Sequence, residues 1–227
     1  MARLIPALIL ILVEGCSYHN PPGTIAIEPL TESNPTSFIF DSSVDQVHAA
    51  LIEKWRDLLP GGIVHTKENP NWDEVGVVLK EAGNQNDGYI YDGIAGIALE
   101  SKLYFLPNNK PCLYGADFHI HLTRVDSAKT KVEIFTHKPW VDVGERERRV
   151  FPFYSHRQGI FVKVKPTTIE EYTILLNLGS FLGVNHMPAL KVPNEVSSAQ
   201  QFHYEDKDIV DFTKDRKVSD WSSTMSK

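Results

Sequence analysis

Two cysteines in 227 residues, Cys16 and Cys112, are too few to build a disulfide scaffold. Long apolar runs are missing as well. The run Leu4–Val13 has ten residues, too short for a bilayer-crossing helix. Basic charge is scarce: 23 Lys and Arg face 29 Asp and Glu, for a net charge of −6 and a pI near 5.8. No Lys/Arg-dense face emerges, which argues against a nucleic-acid partner. The one basic knot, Arg146, Arg148 and Arg149, is interleaved with Glu145 and Glu147 and nearly neutralises itself. Gly93 and Gly96 lack the third glycine and the following helix of a phosphate-binding turn. The sequence contains no recognisable catalytic acid–base pair, nucleotide loop or DNA-binding motif, and no residue is assigned a catalytic role. The rest is ordinary for a globular chain, 42% hydrophobic and 23% charged, and fits one domain.

Residues 1–16, MARLIPALILILVEGC, read as an address. Arg3 supplies a positive start, Leu4–Val13 an apolar core, and Gly15-Cys16 a small-residue end, the parts of a secretory leader. Val13-Glu14-Gly15-Cys16 resembles the lipobox of bacterial lipoproteins, with Glu14 where that pattern prefers a small or neutral residue. The resemblance implies a signal peptide over 1–15, removed before Cys16, and lipidation of Cys16 by acyl chains of the palmitate kind. It implies a body held at the cell envelope by a membrane anchor, and two or three acyl chains make such an anchor stable. Ser17 rather than Asp after the cysteine favours, by the same resemblance, the outer membrane or periplasmic face. Residues 16–36 then read as the lipidated cysteine and a tether. Pro21, Pro22, Pro29 and Pro35 stiffen it, with one extended piece at Thr24–Ile27.

The folded domain is expected over 37–188 and a loose polar tail over 189–227, with one short helix near Asp206–Phe212. Phe38-Ile39-Phe40 reads as a first strand. Ser42 and Asp45 have capping spacing, and Val44, Val47, Leu51, Trp55 and Leu58 form one apolar stripe of an amphipathic helix. His48, one residue off that stripe, is a boundary residue. Pro60-Gly61-Gly62 stops the helix. A strand and then a turn are expected over Ile63–Asn71, and strands over Glu74–Glu81, Tyr89–Leu99 and Lys102–Leu106, with a turn cluster over Gly83–Gly88. Residues 140–160 read as an irregular excursion that ends in a strand at Gly159–Val164. Thr167 with Glu170, or Thr168 with Glu171, opens a second helix as a capping box. In that helix Ile169, Tyr172, Leu175, Leu176, Leu178, Phe181 and Leu182 leave almost no polar side, so it is buried against a sheet, and Gly183 ends it.

The clearest signal is a β-hairpin over 113–139. Phe118, Ile120 and Leu122 alternate with His119, His121 and Thr123, and Val132 and Ile134 alternate with Lys131, Glu133 and Phe135. A three-residue loop at Ser127–Lys129 would pair Leu122 with Ile134, His119 with His137 and His121 with Phe135. A two-residue shift keeps the faces and changes the partners; a one-residue shift mixes them. One face is therefore oily and the other carries three histidines.

Those histidines are the one constellation with possible chemistry. His119 and His121 point the same way about 7 Å apart along a strand, and His137 could complete a three-nitrogen zinc site, with Asp117 and Glu133 as further ligands. A wet sheet face that happens to hold histidines is the plainer account. Cys112 could act as a nucleophile with His119 or His121 as base, though a buried, inert thiol is the commoner state. Trp72, Tyr89, Tyr91, Tyr104, Phe105, Phe151, Phe153 and Tyr154 could line a cavity for a lipid or other apolar ligand, or could simply be core.

The order of elements argues α+β: a curved antiparallel sheet packed on a long C-terminal helix, with one N-terminal amphipathic helix. Through Phe38–Leu59 and Thr167–Gly183 it resembles the START/Bet v 1-like helix-grip fold, although that family usually has two short helices after its first strand. Three functions are compatible: an envelope lipoprotein with a non-catalytic binding or interaction domain, its partner an apolar ligand or an envelope protein; a carrier of an apolar small molecule or lipid; and a zinc-dependent hydrolase using His119, His121 and His137.

Overall fold

The computed structural model describes residues 23–28, 30–59, 80–85, 88–150, 154–193 and 200–210. The elements, in chain order, are β1 (Gly23–Ile27), β2 (Ser37–Phe40), α1 (Val44–Lys54), β3 (Lys80–Gln85), β4 (Gly88–Phe105), β5 (Pro111–Arg124), β6 (Thr130–Val150), β7 (Tyr154–Lys163), α2 (Ile169–Phe181) and β8 (Gln200–Tyr204). Among the described residues there are also two 3₁₀ turns, Trp55–Asp57 and Asp206–Asp208.

The expected hairpin is β5–β6 and forms the middle of one antiparallel sheet. Its strands run β2-β6-β5-β4-β1-β8, with β3 on β4 and β7 on β6. The register differs from the expected one by two residues. Ile120 pairs with Ile134, Leu122 with Val132, His119 with Phe135, His121 with Glu133 and Asp117 with His137. The cause is local. The Asp126 carboxylate accepts the Ala128 N–H at 2.7 Å and the Val125 N–H donates to the Lys129 carbonyl at 2.9 Å, so the three-residue loop is Asp126–Ala128. A shift of two preserves parity, and each side chain stays on its expected face.

Two expected strands, Tyr89–Leu99 and Lys102–Leu106, are one strand, β4, bent at several bulges. At one of them Ser101 Oγ accepts the N–H groups of Leu103 and Tyr104 at 3.0 and 2.8 Å. The described part of the stretch expected to be irregular lies in two paired antiparallel strands, β6 and β7, and the strand expected at Gly159–Val164 falls on the end of β7. A bulge between Asp142 and Glu145, with Gly144 at φ 118°, interrupts the alternation of β6 and hid it from the pattern. Gln200–Tyr204, expected within the polar tail, is β8 and pairs along the whole of β1. The expected strand Ile63–Asn71 and most of Glu74–Glu81 lie outside the described residues, as does the leader with Cys16.

The sheet curls into a half-barrel. At one end a single bridge, Val162 to Ile209, reaches across the seam, backed by the Val210 N–H donating to the Phe161 carbonyl at 2.7 Å. The two helices fill the hollow. α1 is capped by Ser43 and Gln46 in a reciprocal box, one residue on from the expected Ser42 and Asp45. Val44, Val47 and Leu51 turn inward as the stripe requires. α2 buries Tyr172, Ile174, Leu175 and Leu178 in the same core as Phe40, Phe118, Ile120 and Ile134. Each such side chain contributes about 1.5–3 kcal/mol by leaving water.

α2 is not the long helix expected. It has 13 residues, about 20 Å. Thr168 starts it in the left-handed region at φ 64°, and Gly183 ends it at φ 75°. There the Val184 N–H bonds back to the Gly179 carbonyl at 2.8 Å, a closure that requires the left-handed backbone glycine adopts freely.

Candidate functional site

The outer face of the hairpin holds the three histidines together, but diagonally rather than in direct pairs. His119 and His137 meet edge to face with ring centroids 5.7 Å apart, and His121 leans on Phe135 at 4.6 Å. Glu133, opposite His121, accepts a hydrogen bond from the Lys131 ammonium at 2.7 Å. Among the described residues no three His, Cys, Asp or Glu side chains are grouped so that they could hold a metal ion. The face is partly apolar: Phe135 is 47% exposed, and Ile39, on the adjacent strand β2, is 52% exposed.

Cys112 faces the other way. It lies inward with Tyr114, Phe118 and Ile120, whereas His119 and His121 lie outward, so β5 itself separates the thiol from the proposed bases. Burial pushes the thiol up to about 11, with the charge of Asp142 adding to it. A thiol held neutral at that level is a poor nucleophile.

The inner face carries a group of residues not recognised as a site in the sequence. Towards the start of α2 its lining changes from oily to polar. Glu170 and Glu171, in the first helical turn, are both buried, 3% and 2% exposed. Thr167 donates its hydroxyl to Glu170, and Thr136, pointing inward from β6, donates to Glu171. Thr167 Oγ1 also accepts the Ile169 N–H at 3.1 Å. Thr167 and Glu170 thus meet side chain to side chain, but neither expected capping box forms. Thr168, the residue that precedes the first turn, makes no side-chain cap; its hydroxyl accepts the Asn34 N–H at 3.0 Å instead.

Two tyrosines complete the cluster. Tyr104 and Tyr114 stack with ring centroids 6.2 Å apart and nearly parallel. Tyr104 donates to the Lys165 carbonyl at 2.8 Å. The Tyr114 hydroxyl and Glu171 Oε2 are buried without a hydrogen-bond partner. Burial raises Glu170 to about 7, and the charge of Glu171 adds to the rise, while its own backbone N–H and Lys102 oppose it. Burial likewise raises Glu171, against the Thr136 hydroxyl and the N–H groups of the helix start. Tyr104 is pushed up to about 12 by burial, with Glu170 contributing, and Tyr114 is pushed up further by burial and by both glutamates. Four proton-bearing side chains therefore share one dry volume in which the neutral form of each is favoured.

This chemistry can hold and release a proton near neutrality. A visible signal was available: a helix apolar nearly all round has no wet side on which first-turn acids could sit. Of the aromatics offered as cavity lining, Tyr104 and Phe105 are buried core, and Tyr89 stacks on His48 at 4.1 Å at the edge of α1. Trp72, Phe151 and Phe153 lie outside the described residues, and nothing is described of the side chains of Tyr91 and Tyr154.

The fold and these two faces define the protein's class: an α+β half-barrel with a filled hollow and an exposed, histidine-bearing outer sheet face. No family model, no curated protein and no solved structure gives a significant match to the chain.

Proposed function

We propose that the chain is a membrane-anchored envelope lipoprotein whose half-barrel is a non-catalytic binding module. The observation that carries the binding half is the contrast between the two sheet faces. The hollow is occupied by α2 and its ionisable groups lie behind that helix, whereas the outer hairpin face offers Phe135 and Ile39 to solvent beside His119, His121 and His137. Exposed apolar side chains among polar ones are the composition of a protein-contact surface. An envelope protein fits that surface better than a small molecule does. The anchoring half rests on Val13-Glu14-Gly15-Cys16 and acylation of Cys16. Among the described residues no helix is long and apolar enough to cross a membrane. The likeness to helix-grip domains supports the same architecture, with a helix laid in a curved sheet, and implies no ligand.

The test is the mass of the mature chain recovered from the envelope. Residues 16–227 carrying two or three acyl chains on Cys16 is the expected result, and Cys16→Ser should leave the leader attached. An intact chain from Met1, unacylated and recovered in the soluble fraction, would remove the anchor.

A further inference from the structure

The first turn of α2 carries two acids into a place with little to balance them. Glu170 and Glu171 lie about 100° apart around the helix, yet both are buried. The groups that face them come from three strands. β4 brings Tyr104 and, from an exposed position, the Lys102 charge; β5 brings Tyr114; β6 brings only the Thr136 hydroxyl. Among the described residues neither carboxyl has an ion-pair partner. Protonated, the two acids are neutral hydrogen-bonding groups suited to a dry site. Ionised, they become two like charges offset by one exposed lysine, and each disfavours the other. The N–H groups of the helix start favour the ionised form of Glu171, but burial outweighs them.

The closed arrangement also leaves polar atoms unbonded. Tyr114 is 1% exposed, and its hydroxyl has no hydrogen-bond partner although the Thr167 backbone lies near it. Glu171 Oε2 points into the same dry volume without one. An orphaned buried group favours any arrangement that brings it water. Thr168, just before the turn, holds the left-handed backbone at φ 64°, which a threonine resists.

The ties on either side of Tyr172 are unequal. Before it, the Asn34 N–H donates to Thr168 Oγ1 at 3.0 Å and the Tyr104 hydroxyl to the Lys165 carbonyl at 2.8 Å. From it onward the helix is fixed. The Tyr172 hydroxyl donates to the Pro188 carbonyl at 2.6 Å and Asn177 to the Leu58 carbonyl at 2.9 Å, and Ile174, Leu175 and Leu178 are fully buried.

We propose that Thr167–Glu171 is a proton-held latch: with both carboxyls neutral it closes the polar end of the hollow, and on their ionisation it turns out into water about Tyr172 while the rest of α2 stays packed. Closed is the low-pH state. Burial holds the protons on both acids beyond the pH at which exposed glutamates release them, so opening comes near neutrality and above. Once the turn is out, Tyr104 and Tyr114 meet water. The device rests on the inner face alone and is independent of the anchored reading of Cys16.

Hydrogen exchange of the purified full chain, read by mass spectrometry against the rate of an unstructured chain at the same pH, tests it. At pH 5 the amides of Thr168–Tyr172 should be protected about tenfold or more. At pH 8.5 that protection should drop below about threefold, while Leu175–Phe181 keeps about a hundredfold or more. Glu170→Gln with Glu171→Gln, which removes both ionisations, should keep Thr168–Tyr172 protected about tenfold or more at pH 8.5. Protection of Thr168–Tyr172 that differs by less than about threefold between the two pH values overturns the proposal. A loss that runs equally through Leu175–Phe181 does the same, and so does a double variant that opens as the natural chain does. The pH comparison is made on the natural sequence and stands even if the double variant fails to fold.

Discussion

Phe118 and His119 are neighbours in sequence and sit in different media. Phe118 is 1% exposed, in the core under α2; His119 lies half-buried on the outer sheet face, against His137. The same division runs along β6, where Ile134 and Thr136 face the hollow and Phe135 faces solvent. The contrast teaches that the medium a side chain meets on this scaffold is set by the face it occupies more than by its neighbours in sequence. Glu170 and Glu171 behave unlike surface acids because a helix start was placed against the inner face. Glu133, on the outer face, pairs with the Lys131 ammonium at 2.7 Å.

The sharpest way to break this contrast is to cut into each face. Phe118→Ala should cost about 3–5 kcal/mol in urea unfolding, whereas Phe135→Ala should cost less than about 1 kcal/mol. Equal losses would mean that the outer face is also core.

The buried acid gives the next largest effect. Folding raises Glu170 from an ordinary 4.5 to about 7, so the folded chain holds this proton more tightly than the unfolded chain. Its contribution is therefore complete below pH 4.5 and is lost as the pH rises to about 7, on the order of 3 kcal/mol. Stability measured from pH 4.5 to 7.5 should fall by at least that amount in the natural sequence, because Glu171 is raised in the same direction. Glu170→Gln, which keeps the shape without that ionisation, should make the fall shallower and leave the part due to Glu171; an unchanged slope would place the titration elsewhere. Thr136→Val should cost a further 1–2 kcal/mol or so by leaving Glu171 without its hydroxyl donor.

Smaller effects sharpen the picture. Gly183→Ala should lose about 1 kcal/mol, because alanine resists the left-handed backbone at φ 75°. Cys112 should resist a thiol reagent in the folded state and react fully in denaturant, and fast labelling of the native protein would contradict its burial. Least of all, His119→Ala should move stability by no more than about 0.5 kcal/mol.

The sequence was most legible where one period held without interruption. The oily side of β5, the α1 stripe, the strand at Phe38–Phe40 and the end of α2 at Gly183 all follow from spacing and one glycine. Legibility failed at bulges. Each inserted residue reverses parity, so β4 looked like two strands, and beyond the central hairpin only Gly159–Val164 of the β6–β7 pair was read as a strand. It failed again at β8, a short strand whose alternate residues stay wet because it lies at the sheet's edge. The hairpin register slipped for a smaller reason, the side chain of Asp126 starting the loop one place early. The acid cluster was half visible: the capping spacing of Thr167 and Glu170 was there to read, but only the sheet supplies Thr136, Tyr104 and Tyr114, which arrive from other strands.

The pairing of β1 with β8 sets a timetable for the molecule's birth. Thr24 and His203, joined at 3.0 Å, are 179 residues apart. A ribosome making several residues each second needs many seconds to span that interval. Throughout it, the β1 segment has emerged but has not met the neighbour that covers its open border. A chain crossing a membrane as it is made would meet that interval unfolded on the far side, where an exposed strand border invites a stranger's strand. A chaperone that shields Gly23–Ile27 until Gln200–Tyr204 emerges would raise the yield of folded protein, and one added later would not.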